Sequence, residues 1–165
     1  MLLICDNSVL SALAEIELIE LLPQIVGRVT IPAAIAREAA HPAAPAALRA
    51  WIANPPSWIS IEPDPAEILE ETKTLGAGEA AAITIAWLHR GDSGLIMDEK
   101  RGRAVAKSLG IPVTGLLAIL VSAASRGLVD FEYALTRLRA TGFRLSSALI
   151  EEAKLSVTRA ASSQD

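Results

Sequence analysis

Five short, mostly apolar runs of three to five residues recur along the chain, separated by segments whose apolar residues repeat at helical spacing. A strand buried on both faces has no solvent side to demand alternating polar residues, so it reads as one continuous apolar stretch. The first run, Leu2-Leu-Ile-Cys5, stops at Asp6-Asn-Ser; the others are Arg28–Pro32, Trp58–Glu62, Leu95–Met97 and Ile111–Thr114. Between them the spacing predicts helices over Val9–Leu22, closed by Pro23 and Gly27, then Ala33–Ala40, Ala46–Ala53, Glu67–Thr74, Glu79–His89 and Ala104–Leu109. Three more follow the last strand, over Leu116–Arg126, Phe131–Thr141 and Ser146–Leu155, and the tail from 159 to 165 reads as frayed. Strands alternating with helices give an α/β fold with a mainly parallel central sheet and right-handed crossovers.

The remaining bulk properties narrow the function classes. At 165 residues the chain suits one domain, read here as 1–158, and with 52% apolar residues it is no disordered chain. Its only cysteine, Cys5, can form no intramolecular disulfide, and no Cys/His spacing suits zinc. The N-terminus lacks a basic leader, and the apolar stretch Ile111–Val129 is interrupted by Thr114, Ser122, Ser125 and Arg126. The expectation is therefore a cytoplasmic protein with no membrane span. Residues 1–98 carry 5 basic and 13 acidic side chains, whereas residues 99–144 carry 8 basic and 3 acidic ones. An acidic front half followed by a basic stretch can place a cation site beside a phosphate-binding surface; solvated helix faces would give the same count.

In an open parallel sheet the functional crevice lies beyond the carboxyl ends of the strands. Asp6 follows the first strand and Asp98 the fourth, while Glu38 and Glu79 lie on expected helices from which they could reach the same crevice. Four carboxylates in one place repel unless a cation compensates them, and hard oxygen ligands suit Mg²⁺ or Mn²⁺. Three of these acids have a plainer explanation. Asp6 and Ser8 suit helix capping, Glu38 suits an exposed helix face, and the helix dipole favours Glu79 in a first turn.

The ordered set Asp6-Asn-Ser, Ile-Pro-Ala-Ala-Ile-Ala-Arg-Glu38, Leu-Gly-Ala-Gly-Glu79 and Leu-Ile-Met-Asp98-Glu-Lys-Arg-Gly-Arg, continuing with Gly-Ile-Pro-Val-Thr-Gly and Gly-Phe-Arg-Leu-Ser, resembles the PIN (PilT N-terminus) domain. It is most similar to a stand-alone prokaryotic branch related to VapC-type toxins, over about Leu2 to Leu155. The resemblance implies a three-layer α/β/α sandwich with extra C-terminal helices. It also implies divalent-metal-dependent cleavage of RNA, and an antitoxin protein as a partner. Carried over, the four family acids fall on Asp6, Glu38, Glu79 and Asp98, with Ser8 the hydroxyl beside the first. Where the branch often has paired aspartates, this chain has Asp98-Glu99, so either carboxylate can be the fourth ligand.

Around this set, Thr114 is expected to cap the helix that follows and to neighbour the site. Lys100, Arg101, Arg103 and Lys107 are candidate phosphate contacts or, individually, solvated charges. Arg90-Gly-Asp-Ser reads as a turn, and Trp51, Trp58 and Trp87 as core or interface residues. The apolar helices Leu10–Leu22 and Leu116–Val129 suit either a homodimer, as in similar domains, or the core. The main alternative function is a non-catalytic PIN-like domain that binds RNA or protein. A receiver-type domain is disfavoured, because no Asp-x-Asp ends the first strand.

Overall fold

A computed structural model describes residues 1–163. Its sheet has five strands, β1 (Leu2–Cys5), β2 (Val29–Pro32), β3 (Ile59–Glu62), β4 (Ser93–Ile96) and β5 (Val113–Thr114), in the order β3-β2-β1-β4-β5. Every neighbouring pair is parallel, with Cys5 opposite Ile96 and Ile96 opposite Thr114. The fold is the expected α/β sandwich, its sheet flanked by helices and its C-terminal helices present. From β1 the chain first moves outward through β2 to β3, then returns past β1 to β4 and β5. The connection direction therefore reverses between β1 and β4, which is where an open α/β sheet leaves a crevice.

The helices are α1 (Asn7–Glu15), α2 (Leu21–Val26), α3 (Ala33–Ala40), α4 (Ala46–Ala53), α5 (Ala77–Leu88), α6 (Lys100–Ser108), α7 (Leu116–Ser125), α8 (Phe131–Ala140) and α9 (Ser147–Ser162). The core is aliphatic throughout. Ile4, Leu10, Leu13, Ile31, Ile35, Ile83, Leu95 and Ile96 are inaccessible to solvent or nearly so. β2 and β4 are buried along their whole length, and the buried Ser93 hydroxyl of β4 is satisfied by donating to Ala86 O at 2.6 Å. Helix α5 is rich in Ala and Ile and is buried around most of its circumference, so its small side chains let it lie close to β1, β2 and β4.

Several boundaries depart from the sequence pattern for identifiable reasons. The helix expected over Val9–Leu22 is two helices. Glu17 takes a left-handed conformation (φ 59°) and the chain turns through Leu18, whose N–H donates to Leu13 O at 2.9 Å. Pro23 does not end a helix; it sits in the first turn of α2, where its missing N–H has no intrahelical partner to lose. Gly27 (φ 76°) ends α2. The helix expected over Glu67–Thr74 shrinks to one 3₁₀ turn, Glu70–Thr72. Its start is diverted because the Leu69 N–H donates to Thr84 Oγ1 of α5. Helix α6 begins four residues earlier than expected, immediately after Glu99. Helix α9 runs to Ser162, into the stretch read as a frayed tail, whose last two positions lie outside the described residues. Among the described residues no helix is long and apolar enough to cross a membrane.

A candidate acidic centre at the carboxyl edge of the sheet

Asp6 is the first residue after β1 and the N-cap of α1. Its Oδ1 accepts from the Val9 N–H at 3.2 Å, and the Ser8 hydroxyl lies 2.9 Å from both carboxylate oxygens. The side chain is almost wholly enclosed, at 2% exposure. Desolvation dominates its titration and, with smaller repulsion from Asp98 and Glu79, outweighs the hydrogen bonds from Ser8 and Val9, so its pKa rises from 3.8 to about 7.

Asp98 stands two residues after β4, the strand beside β1. Its Oδ2 accepts from the Leu116 N–H at 2.9 Å, at the start of α7. Burial raises its pKa, against the opposing effects of the Leu116 N–H and the Arg103 guanidinium. Arg103 is itself tethered, its guanidinium donating to Met97 O at 2.7 Å. Glu38, near the end of α3, reaches across 40 residues of sequence to accept from the Gly78 N–H of α5 at 2.9 Å. Glu79, one residue further on, has a raised pKa caused first by burial and then by repulsion from Glu99 and Glu38, with Arg101 opposing. Its Oε2 is buried without a hydrogen-bond partner.

The carboxylates of Asp6, Glu38, Glu79, Asp98 and Glu99 thus form one chain of interacting charges at the sheet edge. None of them enters an ion pair among the described residues. Nor do any three Asp, Glu, His or Cys side chains among those residues stand together as a ready ligand group. Three of the acids instead satisfy the N-terminus of a helix, and in Glu38 and Asp98 one oxygen does so while the other has no hydrogen bond among the described residues. Hard carboxylate oxygens, mutual repulsion and an orphaned Glu79 oxygen are the donor chemistry that suits Mg²⁺ or Mn²⁺.

The supporting residues divide. Ser8 is beside Asp6, as its spacing suggests. Thr114 does not cap α7: Gly115 holds the N-cap position, and the Asp98 carboxylate supplies the acceptor that a Thr hydroxyl would have offered. Glu99 is exposed and occupies the N-cap position of α6, so Asp98 and Glu99 act on different neighbours, Asp6 and Glu79 respectively. Lys100, Arg103 and Lys107 line one cleft with Asp98, while Arg101 turns away to donate to Thr74 O at 3.3 Å. A second cleft of about 580 Å³ borders Glu38, and sequence reading missed a residue in its wall: Asn7, whose buried Oδ1 lacks a partner. Its place between two recognised positions, Asp6 and Ser8, was the only signal.

Two outcomes follow from this geometry. A Cβ at Gly78 would stand 2.7 Å from both Glu38 Oε1 and Ile35 Cγ1. Gly78→Ala should therefore destabilise by about 1–3 kcal/mol in urea unfolding, although Ala is the better helix former by about 1 kcal/mol. A stabilised variant would show that Glu38 is not held against the α5 backbone. For Asp6 the folded pKa lies above the unfolded one, so its favourable contribution is complete below pH 3.8 and is lost as pH rises to about 7. Asn keeps the cap without the charge. In chelator, Asp6→Asn should be more stable to urea unfolding than wild type at pH 8, by about 1–3 kcal/mol, with the gap closing toward pH 4. A gap independent of pH would show that Asp6 carries no desolvated charge.

A family model for DUF3368, described as a PIN domain, matches residues 2–159. Neither the curated proteins nor the solved structures yield a match. The match spans nearly the whole chain and agrees with the parallel five-stranded sheet and its flanking helices, so this chain belongs to the DUF3368 family of PIN domains.

Proposed function

We propose that this PIN domain is a divalent-metal-dependent ribonuclease that hydrolyses phosphodiester bonds in RNA. The observation that carries the reading is the charge network itself: acids from four separate stretches of chain interact at the sheet's crevice, with no ion-pair partner among the described residues. Asp6, Glu38, Glu79 and Asp98 would hold Mg²⁺ or Mn²⁺, with Glu99 on the rim beside Glu79. When bound, such an ion neutralises charge on a phosphoryl group and acidifies a water. The chain's own part is to fix the acids. The Ser8 hydroxyl and the Val9 N–H orient Asp6, the Gly78 N–H orients Glu38, and the Leu116 N–H orients Asp98. No histidine is required as base, and both His41 and His89 are exposed at helix ends.

The same reading extends to biology and partners. On this reading the protein would serve as the toxin of a toxin–antitoxin pair, restrained by an antitoxin protein, acting in the cytoplasm and working as a homodimer. Growth arrest on expressing the chain without its neighbouring genes is the expected result, and unimpaired growth would count against the toxin role.

The decisive assay compares wild type with Asp6→Asn and Ser8→Ala on mixed single-stranded RNAs, in Mn²⁺ or in chelator. Cleavage should require the cation. Ser8→Ala should lose about 10-fold, within the 10–100-fold usual for a group that only supports a metal ligand, and Asp6→Asn should lose more than about 100-fold. RNA bound but never cut would make this a non-catalytic PIN-like binding domain. Cleavage that survives both chelator and Asp6→Asn would remove the acids from the mechanism. Mn²⁺ should also raise the melting midpoint of wild type and not of Asp6→Asn, a readout independent of activity.

A further inference from the structure

An acidic centre alone is a poor place for RNA, because its charge repels the phosphates it must engage. Beside Asp98 the molecule carries a feature that offsets this. A cleft of about 800 Å³ opens between α6, α7 and the segment leading into α9, with Asp98 and Gly115 in its wall. That volume is within the roughly 300–1,000 Å³ usual for ligand sites. Its apolar surface comes from Leu117 and Val121 on α7 and from Leu145 and Ala153. Lys100, Arg103 and Lys107 line it from successive turns of one face of α6, and Arg144 joins them from the α8–α9 connection.

The balance of charge in this cleft is opposite to that of the whole chain. Four cations face two acids, Asp98 and Glu152, in a protein of net charge −4. Arg103 is tied to Met97 O, but Lys100, Lys107 and Arg144 are exposed and enter no ion pair among the described residues. Next to Arg144 stands Phe143, half-buried, which also lines the cleft. An apolar protein segment would need the floor and not the unpaired cations. A single-stranded polyanion uses both, placing phosphates on the rim and a base against the aromatic ring.

We propose that this cleft seats the RNA strand beside the acids, with Lys100, Lys107 and Arg144 holding phosphates and Phe143 stacking a base over Leu117 and Val121. The inference rests on the ribonuclease reading and adds to it the path of the substrate. It makes the Phe-Arg pair of the C-terminal segment part of the binding surface, on the Asp98 side of the centre.

The test measures anisotropy of a labelled single-stranded RNA oligonucleotide with the full chain carrying Asp6→Asn, which should hold RNA without cutting it. Added to that parent, Lys107→Gln and Arg144→Gln should each weaken binding several-fold at low salt. Each should also reduce the slope of log affinity against log salt by about 0.7. Phe143→Leu, which keeps apolar packing, should cost about fivefold with the slope unchanged. Arg139→Gln, on the exposed side of α8, should match the parent. Cleft variants that bind like a parent which itself binds RNA overturn the proposal, and a cleft that takes an apolar protein segment would give that result. If wild type cuts RNA in Mn²⁺ while those variants bind normally, the cleft fails and the nuclease stands. If cleft variants lose binding but wild type never cuts, the cleft stands and the catalytic reading fails. A parent that does not bind, together with a wild type that never cuts in Mn²⁺, overturns both.

Discussion

Three carboxylates, each accepting a hydrogen bond from the N-terminal turn of a helix, hold the carboxyl edge of this sheet together. Asp6 receives the Val9 N–H of α1, Glu38 the Gly78 N–H of α5, and Asp98 the Leu116 N–H of α7. A hydrogen bond to a charged group contributes about 1.5–3 kcal/mol, and the positive end of the helix dipole adds to it. Two of the three are long-range: the Glu38 bond ties α3 to α5 and the Asp98 bond ties β4 to α7. They place the acids as part of placing the helices. A shift in either helix would move a carboxylate, which makes the geometry of the site a property of the fold.

The backbone around the acids is kept bare to allow this. A Cβ at Gly102 would stand 2.6 Å from Met97 Sδ and 2.9 Å from Glu79 Oε2, and one at Gly115 would stand 2.6 Å from Asp98 Oδ1. With Gly78 against Glu38, three helix N-terminal regions each present a glycine where a carboxylate comes close. Any larger residue at these points would push a charge out of its position or into solvent.

Much of this was legible in the sequence because the signals were local. An apolar run stopped by Asp announces both a strand end and a helix cap, and Asp6 proved to be the cap of α1. Helices α3 and α4 kept their expected limits because Pro32 and Pro45 precede them and His41 and Asn54 follow. The failures came where tertiary contacts decided. Nothing local to Leu69 announces that Thr84 will take its N–H and cut a helix to one turn. Nothing local to Thr114 reveals that an aspartate sixteen residues earlier will cap the helix in its place. The convergence of Glu38 with Gly78 is likewise set by packing of α3 on α5, which no spacing along the chain encodes.

Capping and cation binding look like competing explanations of these acids, yet the electrostatics separate them. A cap needs one acceptor oxygen, and Ser, Thr or Asn provides it with no charge to desolvate. Asp6 at 2% exposure, pushed up to about 7 chiefly by its burial and further by two neighbouring acids, is a costly way to satisfy the Val9 N–H. If capping were the whole purpose, the clustering of Asp98, Glu79, Glu38 and Glu99 would only add repulsion, which Arg101 beside Glu79 and Arg103 beside Asp98 offset in part. What requires a reason is therefore the negative charge and its crowding, and hydrogen bonds to neutral backbone N–H groups supply neither. Under the proposed function a compensating cation would, and the unpaired lysines and arginine of the adjoining cleft fit the polyanion that such an ion would be there to cut.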